Sequence, residues 1–190
     1  MPGLTRPVTD ERDGLRAYLD QVRLQLRLTA HGLTDDQARA TPCASSISVG
    51  AAIKHVAFVE GTWMNMVEQL GRDDQAAYAD AWTMRPDESL AGILQGYDAA
   101  IARTDAVLAA KDLDDAVPVP KGVPWFPQEH EAWSVRWVVL HLIQETARHS
   151  GHADIVREQV DGATAFPLMA AAEGWPETPW MKPWSAGASA

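Results

Sequence analysis

Cysteine is nearly absent from this chain: 190 residues carry one, Cys43. No internal disulfide can form, so the fold must rest on a buried core. Basic charge is short as well, with 16 Lys and Arg against 26 Asp and Glu and a formal net charge of −10. No Lys/Arg cluster offsets that balance, which excludes a nucleic-acid backbone or an anionic membrane surface as the partner. Long apolar runs are missing too. The most apolar stretch, Trp137 to Ile143, is interrupted by His141 and is far too short to cross a bilayer. The N-terminus, MPGLTRPVTDERD, has no apolar signal segment, so the expected location is cytoplasmic. There is no internal repeat and no low-complexity tract.

What is present is an ordinary globular composition, 46% apolar, in a length that fits one domain or one domain with a tail. Residues 1–9 read as a flexible lead. Asp10 then opens a helix with the stripe Leu15, Leu19, Val22 and Leu26, ending near His31-Gly32. Thr34-Asp35-Asp36-Gln37 has capping-box spacing for a short helical turn, and Thr41 to Ser46 is a loop. Ser48 caps a second long helix whose stripe is Ala52, Val56, Val59, Trp63, Met66 and Leu70, stopping at Gly71, with His55 on its edge. Arg72 to Arg85 is polar with Tyr78 and Trp82 embedded. Pro86-Asp87 is predicted to start the third helix, through Leu90, Leu94, Tyr97, Ile101 and Leu108.

Lys111 to Glu131 holds four prolines and reads as irregular, with room for a short extended piece, before Ser134 caps the fourth helix. That helix closes at Asp161-Gly162. The stretch Phe166 to Trp184 is short of helix signals but rich in Trp and Pro, and is expected to pack across the bundle, since exposed tryptophans form adhesive patches. The prediction is an all-α four-helix bundle over 1–162 with a C-terminal tail, 163–190.

Chemistry concentrates on the fourth helix, WVVLHLIQETARHSGHADIVREQV. Helical spacing puts Val138, Leu142, Glu145, His149, His152 and Val156 on one stripe, aliphatic at both ends and polar in the middle. An unpaired carboxylate on a buried stripe costs several kcal/mol, as an order of magnitude, and a metal ion removes that cost. Glu145 and His149 are one turn apart and can converge on one cation; the third ligand must come from another element, and His55 is the candidate. Two imidazoles and a carboxylate suit zinc with an open fourth position, and equally the facial triad of non-haem iron. His152 competes with His149 as a ligand or stands behind it, and His141 flanks the stripe. The bland alternative is neutral core histidines with Glu145 paired to Arg148 or Arg136. Three such residues at successive core positions favour the metal. Trp63 and Trp82 could wall a pocket or fill core. Cys43 has no adjoining histidine and reads as a small hydrophobe, and Asp112, Asp114 and Asp115 lack the glycine and glutamate of a calcium loop.

The segments GLTDDQ (32–37), SVGAAIKHVAFVE (48–60) and WVVLHLIQETARHSGHADIVREQVDG (137–162) resemble the DinB-like superfamily of metal-binding bundles, in its actinobacterial-type branch. The resemblance implies an up-down-down-up course and a divalent metal, usually zinc or nickel. In many relatives the ligands are three histidines; carried over, they fall on His55, Glu145 and His149, with glutamate replacing the middle histidine. That ligand set is similar to the mycothiol-dependent maleylpyruvate isomerases. It implies a small-molecule substrate, mycothiol as co-substrate in S-transfer or isomerisation, His152 (or His141) as a proton carrier, and a homodimer. The rival reading is a metal-stabilised binder of a small apolar ligand.

Overall fold

The computed structural model describes residues 3–71 and 75–187. Positions 72–74 of the expected polar connection, 1–2 of the lead and 188–190 of the tail lie outside them. Four long helices make the bundle: α1 (Glu11–Leu28), α3 (Val49–Val67), α5 (Leu90–Ala109) and α6 (Val135–Asp161). Short helices α2 (Asp35–Arg39), α4 (Gln75–Asp80) and α7 (Ala165–Glu173) decorate it.

Each long helix starts where a side chain accepts from an unpaired N–H of the first turn. The caps are Asp10 for Asp13, Ser48 for Ala51, Ser89 for Gly92 and Ser134 for Trp137. The Thr34/Gln37 capping box is reciprocal, as its spacing predicts. The third long helix begins at Leu90 behind Ser89, not at Pro86-Asp87, because Ser89 supplies the capping oxygen. Leu90 and Tyr97 of the expected stripe are buried, joined by Ile93, Thr104 and Val107, while Leu94, Ile101 and Leu108 pack against the core partly buried. α3 ends at Val67, so Leu70 falls outside the helix and is 70% exposed.

Residue pairs across helices give the course. Arg16 meets Asp105 and Arg27 meets Asp98, so α1 and α5 run in opposite directions. Lys54 meets Glu88 and Arg103 meets Glu68, so α3 and α5 run together. Arg136 meets Glu11 and Arg157 reaches the Thr29 carbonyl, so α1 and α6 are parallel. The chain therefore runs up, down, down, up.

Three expectations are corrected. The lead is tied down: the Thr9 N–H donates to Asp13 at 2.9 Å and Arg6 pairs with Asp13. The connection before α6 contains a two-stranded antiparallel sheet, β1 (Ala116–Pro118) and β2 (Ala132–Ser134), with Val117 opposite Trp133. It burying both of those side chains explains why so short a pairing persists. The tail contains α7, which buries Leu168, Met169 and Ala170 and ends at Gly174 in the left-handed region. Trp184 then lies edge-on to His31 and beneath the Arg157 guanidinium, against Gly32.

The core has two apolar halves. One gathers Leu26, Ile53, Val56, Tyr97 and Val156; the other Leu19, Met64, Val117, Trp133 and Leu142. Between them runs a polar layer. On one side Arg23, 3% exposed, donates to both oxygens of the fully buried Glu60 at 2.9 and 2.6 Å and to Asp105 at 2.9 Å. On the other side lie His55, Glu145 and His149.

Candidate metal centre

α3 and α6 run antiparallel, which brings residues near the start of one beside residues past the middle of the other. His55 sits seven positions after its Ser48 cap and is 2% exposed. His149 is 7% exposed, and Glu145, one turn before it, keeps 22% of its side chain accessible. The inward face of α6 is Val138, Val139, Leu142, Thr146, His149, Ser150, Ala153 and Val156, so Glu145 and His152 stand at its edge rather than on a buried stripe. One donor thus faces solvent while two are enclosed.

Glu145 Oε1 lies 3.2 Å from His149 Nε2 and 3.7 Å from His55 Nε2, and the ring centroids of the two histidines are 4.7 Å apart. One donor atom from each of the three residues falls within 4.8 Å of the others, so the set could hold a metal ion. The arginine alternative is not what is found. Arg136 pairs with Glu11 and Asp114, and Arg148 is exposed and forms no ion pair among the described residues.

Electrostatics favour at Glu145 and His55 the protonation states that ligation needs. The hydrogen bond to His149, and then that to His55, holds the Glu145 carboxyl well below the usual carboxylate range against the opposing effect of burial. Burial pushes the His55 ring down, although its hydrogen bond to Glu145 opposes this. The arrangement is an ionised carboxylate beside a neutral imidazole. The Nδ1 atoms of His55 and His149 are both buried with no hydrogen-bond partner among the described residues. A histidine kept as a satisfied core residue would use both ring nitrogens, so these rings do not fit that description. Ligating imidazoles also usually have an outer partner that fixes the ring plane. Here an aromatic ring takes that part: Trp82 stacks on His55 at 3.7 Å and 26°, and meets His149 edge-on at 5.7 Å. Tyr78 stands edge-on to both His55 and Trp82.

A second aromatic series leads along α6 toward the cluster. Trp133 stacks on Trp137 at 5.0 Å and Trp137 on His141 at 5.1 Å, with Trp63 edge-on or tilted to all three. From Trp133 in β2 the repeat of four continues through Trp137 and His141 on α6 to Glu145 and His149, so the series leads from the sheet to the cluster. Trp82 is therefore beside the ligands, whereas Trp63 belongs to this series one step away. His152 is half-buried and has no hydrogen bond, ion pair or ring contact with the three. A cleft of about 510 Å³ between the start of α1 and the end of α5 shares no residue with the cluster. The cleft is lined by Asp10, Asp13 and Asp105 among others, but among the described residues it is in the cluster that three ligand donors converge within 4.8 Å, so the cluster is the candidate site.

The model of the mycothiol S-transferase family matches residues 14–162, from the first turn of α1 to the glycine that ends α6. The chain belongs to the mycothiol S-transferase family, itself DinB-like. The match spans every helix that contributes to the site and stops before α7. Among solved structures, a conserved protein from Enterococcus faecalis is similar at TM-score 0.60 and 16% identity, over 80% of this chain and 98% of that one. At that identity the likeness concerns the fold alone. No curated protein matches the chain. Among the described residues no helix is long and apolar enough to cross a membrane.

The aromatic clamp on His55 escaped sequence reasoning, because α3 and Trp82 are joined only through a polar connection with no periodic signal. The Arg23–Glu60 pair escaped it too. A charged residue at a core position of each of two helices was the available sign.

Proposed function

We propose that the protein is a divalent-metal-dependent enzyme that joins the thiol of mycothiol to a small electrophile, or uses it to isomerise one. The observation that carries the reading is the convergence of His55, Glu145 and His149 in a chain of the mycothiol S-transferase family. These three residues would hold the metal, zinc first, with nickel or iron as rivals. A divalent cation with an open coordination position lowers the pKa of a thiol bound there, so thiolate persists at neutral pH.

The chain's own residues supply the rest. Glu145 contributes the single negative charge of the set, and its exposed edge is the side from which a thiol can approach. Trp82 fixes the ring plane of His55. In S-transfer the sulfur–carbon bond forms as the bond to the leaving group breaks, and the thiol proton must go elsewhere. His152 is proposed to take it: the ring is half-buried, three residues beyond His149, and has no other partner among the described residues. His141, stacked on Trp137, is the competing imidazole.

The test is turnover of mycothiol with monobromobimane by zinc-loaded protein. Conjugation above the uncatalysed rate that is lost in His149→Ala supports the proposal; equal rates with and without protein refute it. His152→Ala should lower turnover while metal content stays unchanged. A second reading, a binder without chemistry, draws on the Trp63, Trp133 and Trp137 rings, and predicts tryptophan quenching by small apolar ligands with no conjugation.

A further inference from the structure

A separate cavity of about 270 Å³ opens between α1, α6 and α7, on residues the metal cluster does not use. Four polar side chains line it, Gln21, Gln25, Ser150 and Asp154, and none makes a hydrogen bond or ion pair among the described residues. Gln21 of α1 is 8% exposed and Ser150 of α6 is 3% exposed. Asp154, one turn after Ser150, is half-buried, and burial together with nearby Glu158 pushes its carboxyl up. Gln21, Ser150 and Asp154 bring an amide, a hydroxyl and a carboxyl to one cavity, groups that an occupant can engage. The rest of the lining includes apolar side chains, Leu24 and Leu28 of α1 and Phe166 of α7 among them.

The lining chemistry selects the occupant. Among the described residues no Lys, Arg or His lines the cavity, so neither the carboxylate nor an incoming anion meets a positive side chain there. A single carboxylate is too few for a hard divalent cation, which gathers several. An ammonium group offers three N–H donors, and a carboxylate, an amide oxygen and a hydroxyl are three acceptors. Phe166 presents a ring to the same space, and ring faces attract cations. The volume is that of roughly nine water-sized units, enough for a compact ligand.

We propose that this cavity binds a small primary amine as its ammonium form, the charge meeting Asp154, Gln21 and Ser150 and a compact apolar body resting on Leu24, Leu28 and Phe166. The site is independent of the metal cluster.

Calorimetric titration of the full-length protein with benzylamine tests this, with benzyl alcohol as the neutral probe and the Gln21 side-chain amide resonances as the locator. One benzylammonium should bind per chain and shift the Gln21 resonances. Asp154→Asn and benzyl alcohol should each weaken binding by about tenfold or more, the loss of a charge-assisted contact. Gln21→Leu, which keeps the packing, should weaken it as well. The proposal is overturned by absence of saturable binding, which would leave a cavity holding water only, by unchanged affinity in Asp154→Asn, or by equal affinity for the alcohol. Asp154→Asn must melt no lower than the parent, so lost binding is not lost folding.

Discussion

Glu145→Gln separates a metal centre from a hydrogen-bonded histidine pair, because it keeps shape and one acceptor oxygen while removing the charge. If the two imidazoles merely share Glu145 as an acceptor, at 3.2 and 3.7 Å, the amide oxygen still serves one of them. Stability would then change by about 1 kcal/mol, the net worth of one hydrogen bond. If Glu145 is a ligand, the change removes the only anionic donor of three. Loss of an outer partner alone lowers metal affinity about 10–100-fold, so loss of a donor's charge should lower it by at least about 100-fold. Thermal melting reads this directly. At free metal about 100 times the parent's dissociation constant, binding stabilises by ~2.7 kcal/mol. For a chain of this size each kcal/mol moves Tm by about 2–4 °C, so the parent should gain roughly 5–11 °C on adding zinc. Glu145→Gln at the same zinc concentration should gain about 2 °C or less. Elemental analysis after dialysis should agree. Equal metal content and equal thermal gain in parent and variant would end the metal assignment, whatever the effect on melting without metal.

Trp82→Leu removes the ring stacked on His55 and should weaken zinc about tenfold, as a lost orienting partner does, with helix content unchanged by circular dichroism. Glu60→Leu leaves Arg23 buried without its bidentate partner and should destabilise by about 3–5 kcal/mol in urea unfolding, whereas pairing it with Arg23→Met should restore much of the loss. Gly32→Ala forces a side chain into a left-handed turn, φ +72°, directly against the Trp184 ring, and should lower Tm with a loosened tail seen as faster proteolysis near residue 184. Asp154→Asn should be more stable than the parent at pH 7. The raised carboxyl favours folding below its unfolded pKa and that contribution is lost as pH rises through its folded pKa, so the variant's advantage should shrink toward about pH 4 and vanish below it. A stability difference that does not depend on pH would contradict this.

The helices and their caps were legible in the sequence because each depends on local signals: Asp10, Ser48 and Ser134 stand before periodic apolar runs, and Gly162 ends the last. The third helix start was misread since Pro86-Asp87 and Ser89 are competing start signals three residues apart, and only the accepting hydroxyl decides between them. The hidden α7 followed from weighting Trp and Pro over the small apolar run Leu168 to Ala172, which is helical once α1 offers it a face. The β1–β2 pairing could not be read locally. Its strands are three residues each and are specified by burial of Val117 and Trp133 against the bundle, a tertiary effect.

The candidate ligands were legible for a different reason, and one part of that reason changes with the structure. Spacing by four and three suggested that Glu145 is enclosed and that a cation must offset its desolvation. Glu145 instead stands at the rim with 22% of its side chain accessible, and solvent already meets part of that need. The case for a metal therefore rests less on the carboxylate than on the histidines. Two imidazoles, each under a tenth exposed, converge on one oxygen while their Nδ1 atoms find no partner, and a tryptophan clamps the plane of one ring. The opposite half of the same polar layer is different in kind. There Arg23 and Glu60 satisfy each other through two hydrogen bonds, so both charges are met within the pair, while the hydroxyl of nearby Tyr97 has no partner among the described residues. Two polar clusters between the same apolar halves thus divide by completeness: the first is closed by its own counter-charge, the second is left with unfilled donors and an edge open to solvent. That asymmetry, more than the number of histidines, makes the α3–α6 side the candidate site.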